Sequence, residues 1–192
     1  LTVRASSWGA LFDCAHRWEW AHMMKRPGKS SLRAALGTAV HAATAAYDKS
    51  RMLGQGYTAD ETAAIVIDSL RESEQRDGSD WIDEDISLRN AQRIGINLHE
   101  TYCTEVSPRF NFVAVELDVN PLKINCDGVT IELRGTLDRS RANKTSSGVG
   151  IADLKTGKAA VQKGIAKTRG HAAQLGVYEI LYEHTTGTPI TE

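Results

Sequence analysis

The spacing of hydrophobic residues changes at Pro108, and this change limits the folds open to the 192-residue chain. Before Pro108, apolar residues recur every three or four positions, as they do in amphipathic helices. After it, residues 110–119 are rich in β-forming side chains, and residues 171–186 again have a helical pattern. Helices followed by strands and a last helix predict an α/β (mixed α+β) domain with one mixed sheet.

Local signals predict the individual elements. Helices are expected over residues 7–24 and over residues 32–51, the second with an N-cap at Ser31. A third helix is expected to begin at the capping box formed by Thr58 and Glu61, and a fourth to run from about residue 84 to just before Pro108. The sequence Asp127-Gly128 predicts a two-residue turn between strands 122–125 and 129–139. A further strand, 149–155, is close enough in sequence to form a hairpin with 129–139.

Length and composition favour one domain. We treat residues 1–192 as a single domain, with 1–107 mainly helical and 108–192 forming the sheet core and the last helix. The longest uncharged apolar run, residues 34–47, is too short to span a bilayer. Cys14, Cys103 and Cys126 form no CxxC pair, so we expect reduced thiols of a cytoplasmic protein.

The net charge of −1 argues against a simple basic nucleic-acid binder, but the charge is unevenly distributed. Residues 59–105 are strongly acidic, and residues 155–178 contain basic residues with no acidic one. The basic stretch begins within residues 151–158 (IADLKTGK).

Two short motifs carry the chemistry: residues 135–139 (GTLDR) and 151–158 (IADLKTGK). In a strand, Asp153 and Lys155 would share one face, and the hairpin would bring Asp138 beside Asp153. Adjacent carboxylates repel each other unless a cation lies between them, which predicts Mg²⁺ or Mn²⁺. Lys155 could then orient or deprotonate an attacking water, or stabilise the charge on an attacked phosphate. An exposed ion pair of Asp153 and Lys155 is the simpler alternative.

Two helical features accompany these motifs. His41 ends the motif GTAVH (residues 37–41), and Gln174 and Tyr178 are spaced to share a helix face. Taken singly, each has an ordinary explanation, because a lone helical histidine is commonplace and a tyrosine often simply packs.

In order, GTAVH, GTLDR, IADLKTGK and QLGVY resemble the PD-(D/E)XK nuclease superfamily, and more narrowly the RecB-type and phage-type exonucleases. The resemblance covers roughly residues 5–190. It implies a restriction-endonuclease-like core, a central mixed sheet flanked by helices, with a helical N-terminal part. It assigns metal binding to His41, Asp138, Asp153 and the main-chain carbonyl of Leu154. It assigns catalysis to Asp138, Asp153, Lys155, Gln174 and Tyr178.

The resemblance implies a metal-dependent DNA nuclease, an exonuclease of DNA repair or recombination in a bacterial or phage-infected cell. The substrate would be single- or double-stranded DNA, and a recombination or helicase protein could be a partner. Residues expected to contact DNA are Arg139, Lys158, Lys163, Lys167 and Arg169. Glu116 matches a strand acid that precedes the GxxDR motif in relatives, although an exposed strand glutamate explains it equally well.

Some relatives hold an iron–sulfur cluster with one early and three late cysteines. Cys14 lies where the early cysteine of those relatives would be, and the three late cysteines have no equivalent in this sequence. No iron–sulfur cluster is therefore expected in this chain, and Cys14 is expected to be buried and inert. Relatives continue into a closing strand beyond this chain, so a longer parent is expected. Two alternatives stay open: a non-catalytic nucleic-acid-binding recombination protein on the same fold, and a small-molecule or RNA hydrolase of unrelated architecture.

Overall fold

The computed structural model describes residues 1–26, 30–78, 81, 86–142, 148–157, 160–162, 165–166 and 171–191. The chain forms two compact units, which we describe separately. The helical unit comprises Lys29–Val115 and Leu154–Lys158, and the sheet unit comprises Leu1–Gly28, Glu116–Asp153 and Ala159–Glu192. The single-domain interpretation of residues 1–192 stays a prediction.

The helical unit contains three long helices with the predicted starting signals. They are α3 (Leu32–Leu53), α4 (Ala59–Asp77) and α5 (Leu88–Thr101). The side chain of Ser31 accepts a hydrogen bond from the backbone amide of Ala34, and Thr58 and Glu61 form both bonds of a capping box. The helices enclose an apolar core of Leu32, Leu36, Ala39, Val40, Ala43, Val66, Leu70 and Ala91.

A buried carboxylate links α3 to the turns that follow α5. Asp48 is fully buried and accepts hydrogen bonds from the Tyr102 hydroxyl at 2.6 Å and the Ser107 hydroxyl at 2.5 Å. Arg51 donates to the Ser107 carbonyl at 2.7 Å. The two hydroxyl donors lie in the turns that follow α5: Tyr102 begins a π-helical turn, Tyr102–Val106, and Ser107 begins a 3₁₀ turn, Ser107–Arg109. The network satisfies a charge that would be costly to bury alone.

The first sheet of the sheet unit has the order β1–β4–β3, with β1 (Thr2–Arg4), β3 (Leu122–Cys126) and β4 (Val129–Arg134). Strand β1 is parallel to β4, and β3 is antiparallel to it. The predicted turn between β3 and β4 is confirmed: Asp127 and Gly128 both have positive φ, at 50° and 83°. Such turns require positive φ at both central positions.

The second sheet has the order β2–β5–β6, with β2 (Phe112–Asp118), β5 (Thr136–Ala142) and β6 (Val149–Ala152). The last three residues of β2 belong to the sheet unit. Strands β5 and β6 form the expected antiparallel hairpin. A short pair, β7 (Val161–Gln162) and β8 (Ile165–Ala166), precedes α6 (Ala172–Thr186). The predicted α+β architecture is confirmed, but the expectation of one sheet is wrong, because the described strands form two three-stranded sheets and one two-stranded sheet.

Two predicted elements are divided. The strand expected over residues 129–139 is interrupted at Gly135, so that β4 and β5 enter different sheets. The helix expected over 7–24 is two helices, α1 (Ala5–Asp13) and α2 (Ala15–His22), because Cys14 is extended with φ −161°. The indole of Trp18 donates to the buried Ser7 hydroxyl at 3.0 Å, which joins the two helices. Cys14 is exposed, so its predicted burial is wrong.

A close contact explains the glycine at position 135. A Cβ atom added there would lie 2.8 Å from Cε1 of the Tyr178 ring, closer than carbon atoms approach in folded proteins. Tyr178 is buried on α6, in a core that includes Val3, Trp18, Leu137 and Leu181.

Among the described residues, no helix is long and apolar enough to cross a membrane.

Gly135→Ala should destabilise the protein, because the new methyl group overpacks the Tyr178 ring. Overpacking typically costs about 1–3 kcal/mol of unfolding free energy. Gly176→Ala is the control, since a Cβ atom at Gly176 would meet no atom within 4 Å and alanine favours the helix. Urea unfolding followed by circular dichroism measures both. Equal stability of the two variants would contradict the contact.

Tyr102→Phe should also destabilise the protein, because Asp48 loses a buried donor. The expected loss is about 1–3 kcal/mol in the same unfolding measurement. Tyr57 is exposed, so Tyr57→Phe should change stability by less than about 0.5 kcal/mol. A loss no larger for Tyr102→Phe than for Tyr57→Phe would rule out the stabilising role of this network.

Candidate active site

The β5–β6 hairpin positions the two aspartates of the sequence motifs. Arg139 on β5 pairs with Ala152 on β6, and extending this antiparallel register by one position sets Asp138 opposite Asp153. Strand β6 ends at Ala152, so Asp153 is the first residue after it. The predicted strand 149–155 is therefore too long, and the strand-face argument for Asp153 and Lys155 does not apply. Lys155 lies in the irregular segment that follows and is exposed.

A second carboxylate approaches Asp138 from β2. Glu116 and Asp138 each offer a carboxylate oxygen, and these oxygens lie within 4.8 Å of each other. Both side chains are partly buried, and that of Glu116 is 32% exposed. Two carboxylates this close repel each other when both are charged, and a hard cation relieves the repulsion. The oxygen donors therefore fit a divalent cation such as Mg²⁺ or Mn²⁺.

The backbone at Glu116 is unusual for a strand residue. Its φ is +50°, in the left-handed region that residues with a side chain rarely adopt. Such a conformation is unfavourable by about 1–3 kcal/mol and persists only where surrounding contacts maintain it. No local signal in the sequence predicts this conformation.

Arg139 is not placed on the surface. Its side chain is 2% exposed, and its Nη1 donates to Glu116 Oε1 at 3.1 Å and to the Asp138 carbonyl at 2.8 Å. A guanidinium group enclosed in this way is unavailable to a DNA phosphate in this arrangement. Burial thus contradicts the prediction that Arg139 contacts DNA.

The QLGVY helix contributes two further side chains. Gln174 Nε2 donates to Asp153 Oδ1 at 3.2 Å. Burial raises the pKa of Tyr178, and the charges of Asp138, Asp153 and Glu116 raise it further, while a hydrogen bond with Gln174 opposes the shift. Tyr178 is therefore a neutral phenol at physiological pH, with a proton available for donation.

The helical unit holds the first motif and part of the third. His41 lies on α3 and is partly buried. Within this unit, a Cβ atom at Gly37 would lie 3.1 Å from the hydroxyl of Thr156, so GTAVH and the end of IADLKTGK approach closely. Leu154 belongs to the same unit.

The remaining predicted DNA contacts, Lys158, Lys163, Lys167 and Arg169, lie outside the described residues. Among the cysteines, Cys126 is exposed and Cys103 is buried. Burial raises the pKa of the Cys103 thiol to about 12, so this thiol stays protonated and unreactive at neutral pH.

Comparison with known proteins agrees with the motifs. The model of the PD-(D/E)XK nuclease superfamily matches residues 5–191, nearly the whole chain. No curated protein gives a significant match. The family match and the acidic pair indicate a hydrolase that binds divalent metal ions and has DNA as its substrate. The chain therefore belongs to the PD-(D/E)XK nuclease superfamily.

Proposed function

We propose that the protein is an Mg²⁺- or Mn²⁺-dependent exonuclease that hydrolyses phosphodiester bonds of DNA in repair or recombination. The observation that carries the proposal is the approach of the Glu116 and Asp138 carboxylates on neighbouring strands of the second sheet. The Glu116 carboxylate lies within 4.8 Å of that of Asp138, and extending the β5–β6 register by one position sets Asp153 opposite Asp138.

Asp138 and Asp153 are the principal residues that would hold the metal in this proposal. His41 and the main-chain carbonyl of Leu154 complete the ligand set by the family pattern. When bound, a divalent ion polarises the phosphate and offsets the charge that develops on the leaving oxygen. A histidine nitrogen among oxygen ligands suits Mn²⁺ as well as Mg²⁺.

The other motif residues act on the reactants or hold the ligands in place. Lys155 orients or deprotonates the attacking water, or stabilises charge on the attacked phosphate. Gln174 fixes the carboxylate of Asp153 by donating a hydrogen bond to it. Tyr178 is a neutral phenol that donates and does not act as a base, because burial and three carboxylates raise its pKa.

The basic residues that follow Lys155 are proposed to track the DNA backbone. Lys158, Lys163, Lys167 and Arg169 carry positive charge in a stretch with no acidic residue. The acidic segment 59–105 would then lie away from DNA. The proposed setting is the cytoplasm of a bacterial or phage-infected cell, where a helicase or recombination protein could supply DNA ends; the family resemblance favours it.

Cleavage should require a divalent metal together with Asp153 and Lys155. We expect Asp153→Asn to reduce hydrolysis of labelled DNA in Mn²⁺ to the level seen in EDTA, because a metal ligand is lost. Lys155→Met should slow cleavage about 10²–10⁴-fold, the usual contribution of a group that assists proton transfer. Asp118→Asn is the control, since Asp118 is an exposed acid at the end of β2.

Three results would count against the proposal. Activity that survives both EDTA and Asp153→Asn would exclude metal-dependent hydrolysis at this site. An equal loss in Asp118→Asn would show that the effect is not specific. Binding of DNA without cleavage in Mg²⁺ or Mn²⁺ would favour the non-catalytic nucleic-acid-binding alternative.

Exonuclease action predicts dependence on DNA ends. Linear end-labelled DNA should be shortened progressively, while covalently closed circular DNA of the same sequence should persist, because only the linear form has ends. Gel electrophoresis of both substrates, as single and double strands, measures this and gives the strand preference. Linearisation of the circle in Mg²⁺ or Mn²⁺ would indicate an endonuclease.

A further inference from the structure

The interior position of Arg139 calls for an explanation that DNA binding does not give. Its side chain is 2% exposed and belongs to the sheet unit, as do its hydrogen-bond partners Glu116 and Asp138. Arginine stays charged at any physiological pH, so burying it is unfavourable unless an anion accompanies it. The Glu116 carboxylate, 3.1 Å away, is such an anion.

The backbone of Glu116 needs the same contact. Its φ of +50° departs from the extended conformation of a regular strand residue, whose φ is negative. A conformation of this kind needs neighbouring interactions to keep it populated. The charge-assisted hydrogen bond from Arg139 acts on the carboxylate of this residue, so it can hold both the side chain and the unusual backbone.

Two carboxylates and one guanidinium group lie together beside Glu116, and their charges leave room for a bound cation. The Glu116 and Asp138 carboxylates lie within 4.8 Å, and the Arg139 guanidinium partly offsets their repulsion while no cation is bound. A carboxylate has two oxygens, so Glu116 can accept from Arg139 and still bind a cation. Groups that hydrogen-bond to metal ligands orient them and tune the affinity of the site.

We propose that Arg139 is a positioning residue that holds the Glu116 carboxylate beside Asp138 as a metal ligand. The inference rests on the proposed nuclease function and assigns two roles within it: Glu116 binds the metal, and Arg139 keeps Glu116 in place without contacting DNA. It replaces the earlier expectations for both residues, which were possible support for Glu116 and DNA contact for Arg139.

The test separates metal binding from DNA binding. Titration calorimetry measures the affinity of the full chain for Mn²⁺ alone, without DNA, for wild type, Arg139→Lys, Arg139→Met and Glu116→Gln. We expect Arg139→Met and Glu116→Gln each to weaken Mn²⁺ binding about 10–100-fold, as loss of an oriented ligand does. Arg139→Lys, which retains the charge, should weaken it less.

A double variant tests whether the two residues act together. Because Arg139 is proposed to act through Glu116, adding Arg139→Met to Glu116→Gln should weaken Mn²⁺ binding no further. Arg134→Met is the matched control: Arg134 also pairs with a strand glutamate of the sheet unit, Glu132, but its side chain is 54% exposed. This control should bind Mn²⁺ as wild type does.

Affinity for labelled DNA in EDTA, measured by fluorescence anisotropy, completes the test. We expect wild-type affinity in Arg139→Lys and Arg139→Met. Arg139 variants that lose DNA affinity while binding Mn²⁺ normally would overturn the proposal. If circular dichroism shows that Arg139→Met does not fold, Arg139→Lys and Glu116→Gln decide: normal Mn²⁺ binding by both overturns it.

Failure of this inference is distinguishable from failure of the proposed function. Wild-type protein that binds Mn²⁺ but cleaves no DNA rejects the nuclease function, while the Mn²⁺ affinities still decide the role of Arg139. Wild-type protein that cleaves DNA, with Arg139 and Glu116 variants that all bind Mn²⁺ normally, rejects the positioning role alone.

Discussion

Repulsion among carboxylates is the constraint around which the sheet unit is arranged. Glu116, Asp138 and Asp153 all act on the pKa of Tyr178, which places three acidic groups around one buried ring. Like charges so close are tolerated only with compensating partners. Arg139 supplies a positive charge to Glu116, and Gln174 supplies a donor to Asp153. A divalent metal, used throughout this nuclease superfamily, would provide the remaining compensation.

The glycines of the sequence motifs have a shared physical role. Gly135 leaves room for the Tyr178 ring within the sheet unit, and Gly37 leaves room for the Thr156 hydroxyl within the helical unit. In each case, a residue of one motif is small because a residue of another motif occupies the adjacent space. The motifs are therefore connected by packing as well as by chemistry, and the order of residues along the chain does not reveal these contacts.

Features that depend on neighbours in sequence could be predicted, and features that depend on distant contacts could not. The capping box at Thr58, the turn at Gly128 and the β5–β6 hairpin follow from a few adjacent residues. The positive φ of Glu116 and the burial of Arg139 depend on packing between strands that are distant in sequence. Sequence reasoning therefore brought Asp138 and Asp153 to one hairpin, but assigned DNA contact to Arg139, whose side chain is buried.

The contact between Gly135 and Tyr178 also limits how this sequence can evolve. A methyl group at position 135 needs space that the aromatic ring fills, so a larger residue there overpacks the core. A smaller residue at position 178 leaves a cavity in the same core. Each single change is therefore unfavourable, and the strand residue and the helix residue are expected to be retained together.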